Sequence, residues 1–290
     1  MFWSWILTPE STAWVFVLCH YFRHLLRNET IKYLQNSLVI VTVCARNVDQ
    51  YLPLFQQKVT EIVSIFKDYQ ILIGESDSTD ETWNYLKQWA LIDSHVTIET
   101  YGELSKIYCS RSVRIAHCRN RLLDTARKNG WLREAPFYLV MDVDVNANNV
   151  LTLKNFLTNF EYPLEQWAVM TATQDTIYYD IWALRSHFVD YDCWQMVDNL
   201  ANAGYCHSAL VEKFVGNFQK PIPHEYGLIE VQSAFGGFGI YSTKYLNNCA
   251  YYAYTNYEIC EHVTFHQCIK ANGGRIFINS RFRNAGTYET

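Results

Sequence analysis

The residues best suited to chemistry are Asp142 and Asp144, carried at the end of the apolar run Phe137–Met141. Side chains two apart in an extended chain point the same way, so both carboxylates can face one divalent cation. Hard cations such as Mn²⁺ or Mg²⁺ take oxygen ligands and complete their shell with substrate phosphates, which makes a diphosphate the expected occupant. A second cluster runs from Cys260 to Cys268. In a helix, His262 and His266 fall within about 40° of each other on one face, so either can supply a further metal ligand. Cys260 and Cys268 lie off that face, which argues against a four-ligand zinc site within this segment.

Elements must bring these groups together. Leu38 to Val43 is a short apolar run opening onto Arg46 and Asn47, the pattern of a buried parallel strand. Between Tyr51 and Phe66 apolar residues recur at helical spacing, and Ile71 to Ile73 forms the next strand. Ser or Asp within 77–80 is placed to cap a following helix that buries Trp83, Leu86 and Ala90. A strand at Val96 to Ile98, a helix around Arg114 to Ala126, and the acidic strand complete the alternation. Such alternation implies an α/β, Rossmann-like, mostly parallel sheet with ligands beyond the carboxyl ends of its strands.

Further polar groups are placed by that logic. Arg46, Glu75 and Asp77, at the ends of the first two strands, are positioned to read a base and ribose. Arg114, Arg119 and Asn120 come from the helix before the acidic strand, where a guanidinium can hold phosphate oxygens or sugar hydroxyls in bidentate fashion. Tyr178 to Arg185 alternates as a strand would, putting Tyr178, Asp180 and Trp182 on one face. A carboxylate between two aromatics suits a sugar acceptor, with core packing of Trp182 as the competing account. Gly236 and Gly237 allow either close backbone approach to a sugar or an irregular turn.

Composition narrows the partners. A net charge of -5 leaves no basic footprint for a nucleic-acid backbone. The nine cysteines show no CxxC pair and no regular spacing, which predicts reduced thiols in a cytosol-facing protein. Near the N-terminus the apolar run from Ala13 to Phe22 is too short to span a bilayer, which takes about 20 residues. It lacks a basic n-region and a cleavage site. A helical segment over 1–36, packed on the domain or resting on a membrane surface through Trp3, Trp5 and Trp14, is the expectation.

The motifs VTVCARN (41–47), ESDSTDET (75–82), RIAHCRNRLL (114–123), MDVDV (141–145), YYDIWALR (178–185), SAFGGFGIY (233–241) and CEHVTFH (260–266) occur in this order. As a set, from about Leu38 to Arg283, the chain resembles the fungal capsule-associated α-1,3-mannosyltransferase family. The resemblance implies a GT-A fold, a nucleotide-sugar donor with GDP-mannose favoured over a UDP-sugar, and Mn²⁺ or Mg²⁺ at Asp142 and Asp144. It also implies a glycan or oligosaccharide acceptor and transfer with retention; an inverting enzyme would need a base, for which Asp180 and Glu261 are the choices. Acceptor binding would fall to Tyr178, Asp180, Trp182, Arg185, Gly236 and Gly237. One domain is expected over 37–290, with a nucleotide-sugar half at 37–150 and an acceptor half at 151–290. Fungal members carry an N-terminal membrane anchor, which this N-terminus does not supply, so the expected location is cytoplasmic or membrane-associated rather than Golgi-anchored. Two other readings stay open: a sugar nucleotidyltransferase, weakened by the absence of glycine in residues 44–47, and a non-catalytic carbohydrate-binding protein.

Overall fold

In the computed structural model the described residues are 28–253 and 258–286. The N-terminal segment 1–27, with Trp3, Trp5 and Trp14, lies outside them. Residues 28–34 are helical. Eight strands form one sheet: β1 (Leu38–Ala45), β2 (Asp68–Glu75), β3 (Val96–Thr100), β4 (Phe137–Met141), β5 (Val169–Gln174), β6 (Leu228–Val231), β7 (Phe238–Ser242) and β8 (Ile276–Ala285), in the order β3-β2-β1-β4-β7-β5-β8-β6. Strands β1 to β4 pair in parallel, as do β5 and β8, whereas β7 runs antiparallel between β4 and β5 and β6 runs antiparallel to β8.

Both faces of the sheet are covered, which explains why its strands are continuous apolar runs. On one side Val39, Val41 and Val43 of β1 and Ile71 and Ile73 of β2 pack against helices α1 (Leu52–Val63) and α2 (Thr82–Ile92). On the other, Ile40 and Leu72 meet Leu122 and Leu123 of α3 (Arg111–Lys128). Pro53 occupies the first turn of α1, where its missing N–H costs no hydrogen bond. Within α2 the buried residues are Thr82, Leu86 and Trp89, while the expected Trp83 and Ala90 are only half-buried. Asp80 accepts the Thr82 N–H at 3.0 Å and so serves the start of that helix.

Beyond β5 the chain builds helices α4 (Cys193–Asn202) and α5 (His207–Phe214), which pack on each other, and α6 (Glu261–Ala271), which lies against α3. Three local expectations are corrected. Residues 143–146 form a short helical turn that begins directly after Asp142, whose side chain makes no capping bond, so Asp142 is extended but Asp144 lies in the turn. Residues 178–185 are a series of turns rather than a strand, held by Ile181 N–H to Tyr179 O (2.9 Å) and Leu184 N–H to Ile181 O (3.2 Å). The thiols are not all reduced: Cys44 of β1 is joined to Cys118 of α3, and Cys249 to Cys268 of α6. These pairings bridge residues whose Cα atoms lie 6.2 and 5.5 Å apart, a closeness created only by the packing of the helices. Among the described residues no helix is long and apolar enough to cross a membrane.

Candidate functional site

A cavity of about 790 Å³ opens at the carboxyl ends of β1, β2 and β4. This is where a doubly wound sheet exposes strand ends to ligand. Its floor carries Asp142 and Asp144, its β1 and β2 rims carry Arg46 and Ser76, and the first turns of α3 supply Arg111, Arg114 and Arg119. The opposite wall comes from the second half of the chain: Asp180, Trp182 and Trp194, with Val211, Glu212 and Gln219 around α5.

Arg119 is the centre of the charge arrangement. Its side chain is 7% exposed, yet it faces two carboxylates. Nη2 donates to Asp142 Oδ1 at 3.0 Å, and Nη1 donates to Glu261 Oε1 and also lies 2.6 Å from His262 Nε2. The guanidinium sits 4.9 Å from the Phe235 ring centre and 5.8 Å from that of Tyr251, so aromatic faces complete its enclosure. Position 119 lies one residue after the disulfide-bonded Cys118, whose partner Cys44 precedes Arg46 by two residues, so the Cys44–Cys118 bond ties the two walls that carry these arginines.

The Asp142 side chain retains 35% exposure toward the cavity, but its surroundings push its pKa up to about 6. Desolvation is the main cause; Arg119 opposes it, and the charge of Asp144 adds to it. Asp180 is also raised by burial, against the pull of amides that hold it in place: Gly236 N–H at 2.9 Å on Oδ2 and Ala183 N–H at 3.3 Å on Oδ1. Asp142, Asp144 and Asp180 thus turn like charge onto one space, which favours a cation there. Two carboxylates with room for phosphate oxygens fit Mn²⁺ or Mg²⁺. The histidines do not fit as ligands. Both ring nitrogens of His262 are engaged, by Arg119 and by Tyr241 Oη at 3.4 Å, and His266 lies between Tyr241 Oη at 3.1 Å and Ser233 Oγ at 2.9 Å. Among the described residues no group of three His, Cys, Asp or Glu forms a metal cage. Burial first, then the Arg119 charge, depresses both imidazoles, His266 to about 3, so both are neutral at pH 7.

Of the residues singled out by sequence, Arg46, Arg114, Arg119, Asp142, Asp144, Asp180, Trp182, Glu261 and His262 line the cavity. The others do not, and each has a task elsewhere. Glu75 accepts from Ser78 N–H (3.1 Å) and Thr100 Oγ1 (3.2 Å), and Asp77 accepts from Ser105 N–H (3.0 Å), so both shape the β2 loop. Asn120 makes a two-way bond with the backbone of Tyr251, 2.7 and 2.8 Å. Tyr178 is 2% exposed and Arg185 is 9% exposed. At Gly236, with φ +64°, a Cβ would stand 2.4 Å from the Ala172 carbonyl oxygen. Gly237 O accepts from the Asp142 N–H (2.9 Å) and the Asn146 side chain (2.7 Å), which anchors the acidic turn. Arg114 Nη1 binds the Tyr108 and Cys109 carbonyls, each at 2.7 Å, bracing the segment before α3.

Asp192 is a further residue that supports the cavity wall, behind Trp182 and Trp194. It caps α4 through Trp194 N–H (3.1 Å) and Gln195 N–H (3.2 Å), pairs with Arg185 at 2.8 Å, and accepts the Trp182 indole N–H at 3.0 Å. The signal was present as Asp192 with Gln195 three residues on, the signature of a helix start. Arg111 and Trp194, also on the cavity wall, carried no local signal of their own.

No protein-family model matches the chain, and no curated protein matches it. Solved structures do. Residues 1–349 of S. aureus TarS in complex with UDP-GlcNAc align with TM-score 0.51 at 13% identity, over 87% of this chain and 59% of that one. The fold is that of the GT-A glycosyltransferases. A second S. aureus TarS structure gives TM-score 0.50 at 15% identity, covering 86% of this chain and 36% of that chain. The mannosyltransferase PcManGT of Pyrobaculum calidifontis, in complex with GDP-Man and Mn²⁺, is a looser likeness: TM-score 0.39, 12% identity, 91% of this chain and 66% of that one. At such identities the likeness reaches the fold and stops there. The chain spans about three fifths and about one third of the two TarS structures, and no comparison reaches the fungal capsule-associated family that the motifs resemble.

Proposed function

We propose that this protein is a metal-dependent glycosyltransferase that moves a hexose from a nucleotide diphosphate sugar to a hydroxyl of a glycan acceptor. The observation that carries the reading is the meeting of Asp142 and Asp144 with Arg46, Arg111, Arg114 and Arg119 in one cavity at the carboxyl ends of β1, β2 and β4. Carboxylates for a cation and guanidiniums for phosphate oxygens in the same space match a sugar diphosphate better than a neutral glycan.

Asp142 and Asp144 would hold Mn²⁺ or Mg²⁺, which when bound neutralises charge on the departing diphosphate. Arg119, fixed by Asp142 and Glu261, keeps a second positive charge beside that position without reorganising. Glu261 is 4% exposed and committed to Arg119, which leaves Asp180 as the carboxylate able to orient or deprotonate an acceptor hydroxyl. Trp182, its indole N–H spent on Asp192, offers a ring face to an acceptor sugar.

Mannose from GDP-mannose, with retention, is the donor and outcome favoured by the motif resemblance; a UDP-sugar is the alternative, supported by the TarS complex with UDP-GlcNAc. The test is calorimetric titration of GDP-mannose and a panel of UDP-sugars with and without Mn²⁺, on wild type and Asp144→Ala. Mn²⁺-dependent binding of GDP-mannose that disappears in the variant supports the reading. Preference for a UDP-sugar redirects the donor, and binding of free glycans without any nucleotide would leave a carbohydrate-binding protein in its place.

A further inference from the structure

Behind the cavity a line of buried polar groups runs away from Arg119: His262 on α6, Tyr241 on β7, His266 one turn further along α6, and Ser233 in the loop after β6. Their exposures are 2, 0, 0 and 1%, so these groups are withdrawn from bulk solvent and depend on partners in the interior. Ser233 is itself fixed, its N–H and C=O both bonded to the backbone of Arg185, at 3.1 and 2.8 Å. Room for the Tyr241 ring is made by Gly239, where a Cβ would stand 2.6 Å from it.

The donors and acceptors of this line can be ordered. A guanidinium only donates, so His262 Nε2 must be the acceptor of Arg119 Nη1 and must carry no proton. A neutral ring then carries its proton on Nδ1, which faces the Tyr241 oxygen. The hydroxyl hydrogen of Tyr241 finds its acceptor at His266 Nε2, and His266 Nδ1–H is left to donate to Ser233 Oγ. Run in this order, each contact of the line joins one donor to one acceptor. On Arg119, Nη1 is thereby used by Glu261 and His262, and Nη2 keeps one hydrogen beyond the one given to Asp142.

We infer that Tyr241, His266 and Ser233 are positioning residues: they lock His262 in the Nδ1–H tautomer, and that tautomer holds the Arg119 guanidinium with its Nη2 edge turned to Asp142 and to the diphosphate of a bound donor. The second half of this statement rests on the glycosyltransferase reading; the tautomer does not. If His262 carried its proton on Nε2, it would meet an Arg119 N–H with another N–H, and the guanidinium would have to turn away.

The closing experiment reads the two halves separately. Two-bond ¹H–¹⁵N correlation spectra of ¹⁵N-histidine-labelled protein at pH 7 distinguish the two neutral tautomers and the protonated ring, with His262→Gln and His266→Gln giving the assignments. The expected result is that His262 and His266 are both neutral with the proton on Nδ1, and that Tyr241→Phe, which removes only the hydroxyl, changes the His262 pattern. Either ring found protonated, or carrying its proton on Nε2 in the wild type, overturns the inference whatever the enzyme transfers. With the donor identified by titration, Tyr241→Phe should lower kcat by about 10- to 100-fold with donor KM nearly constant, the scale on which outer partners of a reacting centre act. His266→Asn, whose side-chain amide can still donate toward Ser233, should lose less than His266→Phe. A variant Tyr241→Phe with wild-type kcat, or one whose loss lies wholly in KM, refutes the positioning role.

Discussion

Replacing Arg119 by Met isolates the buried charge at the heart of the cavity. Met matches the length of the stem and keeps contact with Phe235, but it removes the partner of Glu261, 4% exposed, and of Asp142 Oδ1. Breaking a buried pair from one side costs about 3–5 kcal/mol because the remaining charge is left without compensation. Asp142 adds to this, since Arg119 is the main influence holding its raised pKa down. The sign with pH follows. Orphaned carboxylates are penalised only while ionised, and losing Arg119 moves Asp142 above the value of about 6 it has beside that charge, so the deficit of Arg119→Met should be largest near pH 8 and its Asp142 part should shrink as the pH falls toward 6. Urea unfolding of wild type, Arg119→Met, Glu261→Gln and the double variant measures it. Removing both partners should cost less than the sum of the single changes by at least about 1 kcal/mol, the signature of a direct interaction. A single-variant loss below about 1 kcal/mol at pH 8, or strict additivity, would refute the picture of Arg119 as a desolvated charge clamped between two acids.

Three further outcomes follow from the geometry. Because Asp142 has its pKa pushed up to about 6, protons compete with a cation there, so Mn²⁺ affinity should be near its plateau at pH 7.5 and fall about tenfold per pH unit well below 6, measured by titration across pH 5 to 8. A pH-independent affinity would contradict it. Gly236→Ala puts a Cβ against the Ala172 carbonyl oxygen at a φ of +64° and disturbs the amide that holds Asp180; a loss of at least about 1–3 kcal/mol in denaturant unfolding is expected. Cys249→Ser opens a loop closed across a sequence separation of 19, for which about 3 kcal/mol of stability should disappear, and under a dithiol reductant the variant and the wild type should converge.

Much of the first half was legible because the signals there are local. Apolar runs buried on both faces announce β1, β2 and β4, and helical spacing announces α1 and α3, so Arg46 and Asp142 fall at strand ends and Arg119 on the helix before the acidic strand without any knowledge of packing. The turns around Asp142 and Tyr178 carry in their sequence the alternation of extended chain. Two or three positions of alternation do not separate a strand from a turn, and the bonds from Asp142 N–H to Gly237 O and from Gly236 N–H to Asp180 come from distant sequence.

The sequence by itself determined the alternation of strands and helices and therefore the edge of the sheet where polar groups collect, since burial of apolar runs is written residue by residue. Only the tertiary structure decided which of those groups face one another. Arg119 and Glu261 are 142 residues apart, Cys44 and Cys118 are 74 apart, and the histidines expected at a metal turn instead to Tyr241 and Ser233. Hydrogen bonds and charge pairs act over a few ångströms of space, and that distance is set by how helices and strands pack rather than by the spacing of residue types along the chain.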